Sequence, residues 1–68
     1  MFDVNKLDYF IKSRGYTRDT LLKEWGISQT SYYKKRNNPY SFTLKDVDNL
    51  KKILKLTNED IASIFLNN

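Results

Sequence analysis

Apolar residues recur at spacings of three and four along this chain, with polar residues between them. Such spacing places the apolar side chains on one face of a helix, where they form a buried stripe. The first stripe consists of Val4, Leu7, Phe10 and Ile11. The pattern predicts an all-α fold of five helices, over residues 5–14, 18–25 and 29–35 and then after two threonines, Thr43 and Thr57.

The later stripes are shorter or contain gaps. We predict that Trp25, the only tryptophan, belongs to the core, because it lies where two helices converge. Asparagines and a proline make residues 37–42 a loop, which we expect Tyr40 and Phe42 to anchor by packing, with a phosphate contact as the alternative for Tyr40. The predicted inward residues of the second, fourth and fifth helices are Leu21, Leu22 and Trp25, then Leu44, Val47, Leu50, Ile53 and Leu54, then Ile61, Ile64 and Phe65.

Residues 17–36 contain the two most closely joined helices. The Thr17 side chain can accept a hydrogen bond from the first turn of the second helix, and Gly26 can adopt the left-handed conformation that ends it. Ser28 caps the third helix almost at once, and Ile27 is placed to pack back on the preceding helix. Helices joined so tightly cross steeply, which leaves one side of the third helix exposed.

The exposed side of the third helix carries the candidate chemistry. We expect Tyr32 to point to the core, with Ser28 and Lys35 toward the same side of the helix. The opposite arc has the amide, hydroxyl and ammonium groups that direct contacts to DNA bases require. An ordinary solvated helix face is the alternative. We call four residues of this arc the recognition face: Gln29, Thr30, Tyr33 and Lys34.

Charge is concentrated around the same segment. The chain carries a net charge of +4 with a pI near 9.4, and residues 25–45 contain no acidic residue. The bases within this acid-free window are Lys34, Lys35, Arg36 and Lys45. A polyanionic partner fits this distribution, whereas a solvated basic face without a partner is the alternative.

Composition excludes several kinds of site. At 68 residues we expect one domain over residues 1–68. The absence of cysteine and histidine removes disulfides, thiolate metal sites and the usual general base, so we expect no metal, no cofactor and no enzymatic activity. Neither a membrane span nor a signal peptide fits the sequence, which favours a soluble intracellular protein.

Residues 17–36 resemble the helix-turn-helix of the phage Cro and phage repressor family, the lambda-repressor-like DNA-binding domains. The similar features are the polar start of the second helix, Gly26 in the turn, Ile27, the run Ser28–Gln29–Thr30–Ser31 and Tyr32 at an apolar position. The resemblance covers nearly the whole chain. It is strongest to small Cro-like regulators of Gram-positive phages and prophages.

The resemblance implies a transcriptional repressor that acts in the bacterial cytoplasm, at the nucleoid. It would bind a palindromic double-stranded DNA operator as a homodimer, with the third helix in the major groove and half-sites roughly 34 Å apart. Base contacts are then expected from Gln29, Thr30, Tyr33 and Lys34. Contacts to the DNA backbone are expected from Arg18, Ser28, Arg36, Asn37, Asn38 and Lys45.

Two positions depart from the family pattern. Leu22 stands where the family usually has alanine, which allows close approach of the two helices. Lys35 stands where an apolar residue commonly faces the core, so either its stem lies along the core with the ammonium in water, or the third helix ends a residue or two early. Phe65 and Leu66 are candidate dimer contacts, although they could instead fill the core of the monomer.

Another class of function also fits the sequence. A helix-turn-helix domain can bind a protein instead of DNA, as a modulator or antirepressor that masks another phage regulator. Tyr33, Tyr40 and Leu66 suit such a partner, because exposed aromatic residues are enriched at protein interfaces. An antitoxin is a lesser variant, since no tail follows the predicted fold, and RNA binding rests on charge alone.

Overall fold

The computed structural model describes residues 2–66 and contains helices without any strand in that range. An all-α fold with five helices is therefore confirmed. A single turn of 3₁₀ helix, Pro39–Ser41, joins the third helix to the fourth. The helices are α1 (Val4–Ser13), α2 (Arg18–Trp25), α3 (Gln29–Asn37), α4 (Leu44–Ile53) and α5 (Asn58–Phe65).

A side-chain oxygen caps the start of every α-helix in the described range. Each cap accepts a hydrogen bond from the amide three residues later, which satisfies one of the amides that a first turn leaves free. The predicted caps Thr17, Ser28, Thr43 and Thr57 are confirmed, and Asp3 caps α1 in the same way. Because each cap contributes about 1 kcal/mol, the short helices depend on them strongly.

Three described helices are followed by a residue with positive φ, and one of these residues, Lys55, is not a glycine. Gly26 ends α2 with φ of 79°, as predicted, and its amide donates to the Leu22 carbonyl over 2.8 Å. Gly15 follows α1 with φ of 82°, but Lys55 follows α4 with φ of 54°. A lysine in the left-handed region costs free energy that glycine would not.

The core receives side chains from all five helices. α2 packs against α4, and α1 packs against α5. The half-buried rings of Phe2, Phe42 and Phe65 lie 5.1–5.4 Å apart at the edge of this core. Trp25 also packs against it, as predicted. The buried apolar residues are Leu7, Phe10, Ile11, Leu21, Leu22, Tyr32, Leu50, Leu54, Leu56 and Ile64.

Two predicted packing residues lie in solvent instead. Leu44 is 91% exposed and Tyr40 is 97% exposed, so neither belongs to the core and Tyr40 does not anchor the loop. Leu44 continues the apolar spacing of α4, but it is the first residue of that helix, and no described element covers its side chain. Phe42 alone provides the predicted anchor.

Both alternatives predicted for Lys35, an ammonium group in water or an early end of the third helix, are wrong. α3 continues two residues past it to Asn37, and its ammonium lies 2.6 Å from the Asp46 carboxylate instead of in water. Asp46 also accepts from the Thr43 amide at the start of α4. The lysine therefore joins the end of α3 to the cap of α4.

A second basic side chain, that of Arg14, joins helices at another edge of the core. The Arg14 Nε donates to the Leu54 carbonyl over 2.9 Å, and its Nη2 lies 3.6 Å from Asp60. This arginine therefore joins the end of α1 to the end of α4 and the start of α5.

We expect Lys55→Gly to stabilise the protein by about 0.5–1 kcal/mol, because glycine adopts positive φ without the steric cost of a Cβ atom. Urea unfolding would measure the change. Lys55→Ala is the control, since it removes the charge but keeps the Cβ atom; an equal gain from alanine would contradict the backbone explanation.

We expect the free energy of unfolding to fall in acid, because the Asp46 carboxylate becomes protonated. Burial alone raises the pKa of Asp46, but hydrogen bonds from Lys35 and Thr43 outweigh burial and hold it below the ordinary 3.8. The ionised carboxylate therefore stabilises the fold above that ordinary value, and this stabilisation is lost as the pH falls through the lower folded-state pKa.

We expect Asp46→Asn to destabilise the protein at neutral pH by about 1–3 kcal/mol and to reduce the loss of stability in acid. Urea unfolding at several pH values would measure both effects. Asp48→Asn on the same helix is the control, because Asp48 forms an exposed pair with Lys52. Equal pH profiles for the two variants would exclude this role for Asp46.

Candidate nucleic-acid interface

The recognition face lies along the exposed side of α3. Tyr32, predicted for the core, is 2% exposed and fixes which side of the helix is inward. Gln29, Thr30 and Lys34 are exposed, and within residues 2–66 their side chains form no hydrogen bond or ion pair. Their donors and acceptors are therefore available to a ligand.

Tyr33 differs from the other three residues of the recognition face. It is 36% exposed, and its hydroxyl accepts a hydrogen bond from Arg18 at the start of α2. The Arg18 guanidinium also lies over the Tyr33 ring, 5.6 Å from its centroid, in a cation–π arrangement. Tyr33, a predicted base contact, thus positions Arg18, a predicted contact to the DNA backbone.

Arg36 is held by α1. Its Nη2 donates to the Asp8 carboxylate over 2.6 Å, next to the hydroxyl of buried Tyr32. Burial alone lowers the pKa of Arg36, but Asp8 and Tyr32 outweigh it and raise this pKa, while burial raises the pKa of Tyr32. Arg36 is therefore charged and already paired, so its predicted contact with DNA requires sharing or breaking the bond to Asp8.

Folding changes the charge that the acid-free window presents. Lys35 is paired with Asp46 and Arg36 with Asp8, from acidic residues that lie outside the window. Lys34 and Lys45 are exposed and make no ion pair within the described residues. The surface charge of this segment therefore comes from two of its four bases.

The remaining predicted backbone contacts surround α3. Ser28 accepts from the Ser31 amide at the start of the helix. Asn37 and Asn38 are exposed at its end, and Lys45 is exposed in the first turn of α4. Arg18 and Ser28 thus lie at the starts of α2 and α3, Asn37 and Asn38 lie at the end of α3, and Lys45 lies on α4.

The two candidate dimer contacts have different surroundings. Phe65 is half-buried, and its ring packs on Phe2 and Phe42 of the same chain. Leu66 is 72% exposed. A dimer contact thus remains a prediction for both, with Leu66 the more accessible.

Sequence-based reasoning missed a cleft beside this surface. It lies between α1 and α3, has a volume of about 630 Å³ and is lined in part by Tyr9, Lys12 and Tyr16. Tyr9 and Lys12 are exposed residues of α1 that lie off its apolar stripe, which is the signal that could have identified them. The sequence did not show that α3 lies opposite them.

Comparison with protein-family models, curated proteins and solved structures finds no match to this chain. Within residues 2–66, no helix has the length and apolar character needed to cross a membrane. The same residues contain no cluster of acidic side chains suited to holding a metal ion.

The contact between Arg18 and Tyr33 should be measurable in the free protein. We expect a double-mutant cycle of Arg18→Ala and Tyr33→Leu to give a coupling free energy of about 0.5–1 kcal/mol in urea unfolding, the size of an exposed cation–π contact. Lys23→Ala, on the same helix, replaces Arg18→Ala in the control cycle. Additive effects of Arg18→Ala and Tyr33→Leu would show that the contact contributes nothing.

Proposed function

We propose that this protein is a sequence-specific DNA-binding transcriptional regulator that places α3 in the major groove. The carrying observation is that Gln29, Thr30 and Lys34 are exposed on one helix with their polar groups free of intramolecular bonds among the described residues. A solvated helix face needs no particular polar groups, whereas amide, hydroxyl and ammonium groups are among those that pair with base edges.

The side chains match base edges in the major groove. Gln29 can form two hydrogen bonds with adenine N6 and N7, and Lys34 can donate to guanine O6 and N7. Thr30 offers a hydroxyl group together with a methyl group for contact with thymine. These residues would specify sequence.

Other residues would position the protein without specifying sequence. Backbone phosphates would lie near Arg18 and Ser28 at one end of the interface, and near Asn37, Asn38 and Lys45 at the other. Arg36 would contribute mainly by holding α3 against Asp8.

The lambda-repressor-like arrangement and the dimer are part of this proposal. A single domain of this size covers a limited stretch of DNA, so a two-fold dimer on a palindromic operator would supply the remaining affinity. Leu66, with Phe65 behind it, is the proposed contact between subunits. A bound dimer would act by occupying a promoter and blocking polymerase or a competing regulator.

A protein-binding modulator is the second candidate function. Tyr40 and Leu44 favour it, because both are almost fully exposed and apolar side chains of this size suit a protein interface. Selection from a random DNA pool, followed by sequencing, separates the two functions. An enriched palindrome would support the DNA-binding dimer, and enrichment of no sequence would favour the modulator.

We expect Gln29→Ala to weaken binding to the selected site by about 1–3 kcal/mol and to change binding to random DNA much less. Fluorescence anisotropy with both duplexes would measure the difference. Asn5→Ala, which removes an exposed amide from α1, is the control. An equal loss on both duplexes would exclude Gln29 as a base contact.

A further inference from the structure

The cleft between α1 and α3 has an apolar floor and a polar rim. Ile11 and Tyr32 are buried at its base. Tyr9 and Lys12 line it as exposed residues of α1, and half-buried Tyr16 follows from the connection to α2. The rim therefore presents hydroxyl groups and an ammonium group to whatever enters the cleft.

The cleft carries a net positive charge. Four charged residues line it, and two of them, Asp8 and Arg36, neutralise each other across 2.6 Å. Lys12 makes no ion pair within the described range. Arg18 lies 3.7 Å from Asp19, whose side chain is mostly in solvent, so water weakens this pair. Lys12 and Arg18 are thus the cations that an anion would meet.

The cleft is also continuous with the recognition face. Arg18 and Tyr33 line it, and Tyr33 belongs to the recognition face. A DNA strand lying along α3 would therefore bring its backbone to the opening of the cleft. Lysine, arginine and tyrosine side chains are common donors to phosphate oxygens, which only accept hydrogen bonds.

We infer that this cleft binds a phosphodiester group of the DNA backbone. Lys12 on α1 and Arg18 on α2 supply the charge, and the Tyr9 and Tyr16 hydroxyls donate to the phosphate oxygens. The inference rests on the proposed function and deepens it, because it extends the DNA interface onto α1.

Lys12→Ala tests the assignment against a matched control. Lys6→Ala removes another exposed lysine of α1 that makes no ion pair in the described residues and lies outside the cleft. Both variants change the net charge equally. Affinity for a duplex would be measured by anisotropy across a range of salt concentrations, with circular dichroism to verify folding.

We expect Lys12→Ala to weaken binding several-fold and to reduce the slope of log affinity against log salt by about 0.9, the value for one phosphate contact. Lys6→Ala should leave the slope unchanged. Lys12→Met, which keeps the apolar stem, should reproduce the loss, and it replaces Lys12→Ala if the alanine variant unfolds.

A second measurement locates the phosphate. Duplexes with a single uncharged methylphosphonate linkage would be scanned along the site. At one linkage the wild-type protein should lose affinity, while Lys12→Met should lose little more, because the charge pair is already absent.

The outcomes separate this inference from the proposed function. If the wild-type protein binds DNA but Lys12→Ala and Lys6→Ala give equal salt slopes, the cleft does not hold a phosphate. The same conclusion follows if every methylphosphonate linkage that weakens the wild-type protein weakens Lys12→Met equally. If the wild-type protein binds no duplex at any salt concentration, the proposed function fails, and the inference fails with it.

Discussion

The position of α3 depends on one buried phenol and two ion pairs. α3 has a single buried residue, Tyr32, so apolar burial alone holds it weakly. Its C-terminal half is attached through Lys35 to α4 and through Arg36 to α1. A helix with so little apolar surface can expose polar groups on most of its circumference. Because α3 buries so little apolar surface, its orientation depends on the ion pairs of Lys35 and Arg36.

These ion pairs also make the surface around α3 less positive than its sequence suggests. A segment without acidic residues predicts a basic face, but tertiary contacts bring Asp46 and Asp8 to two of its cations. The potential around α3 therefore arises from Lys34, Lys45 and the neighbouring Arg18. A positive face assembled from separate elements depends on the fold, because unfolding would disperse it.

Local signals account for what the sequence predicted correctly. A capping oxygen or a left-handed glycine acts over three or four residues, so Thr17, Gly26, Thr43 and Thr57 marked helix ends without tertiary information. The later end of α3 was missed because Lys35 is paired with a residue 11 positions away. Leu44 and Tyr40 were misplaced because spacing shows a face but not whether another element covers it. The recognition face was predictable as a polar arc, whereas the Arg18–Tyr33 contact and the cleft require the packing of α1, α2 and α3.

The edge contact between Trp25 and Tyr32 has a practical consequence. Their ring centroids lie 6.2 Å apart, and the chain contains a single tryptophan. The emission of an indole depends on its surroundings, and tryptophan can be excited separately from tyrosine. The fluorescence of Trp25 therefore changes when the Tyr32 ring of α3 moves away from α2, which provides a signal without an attached dye.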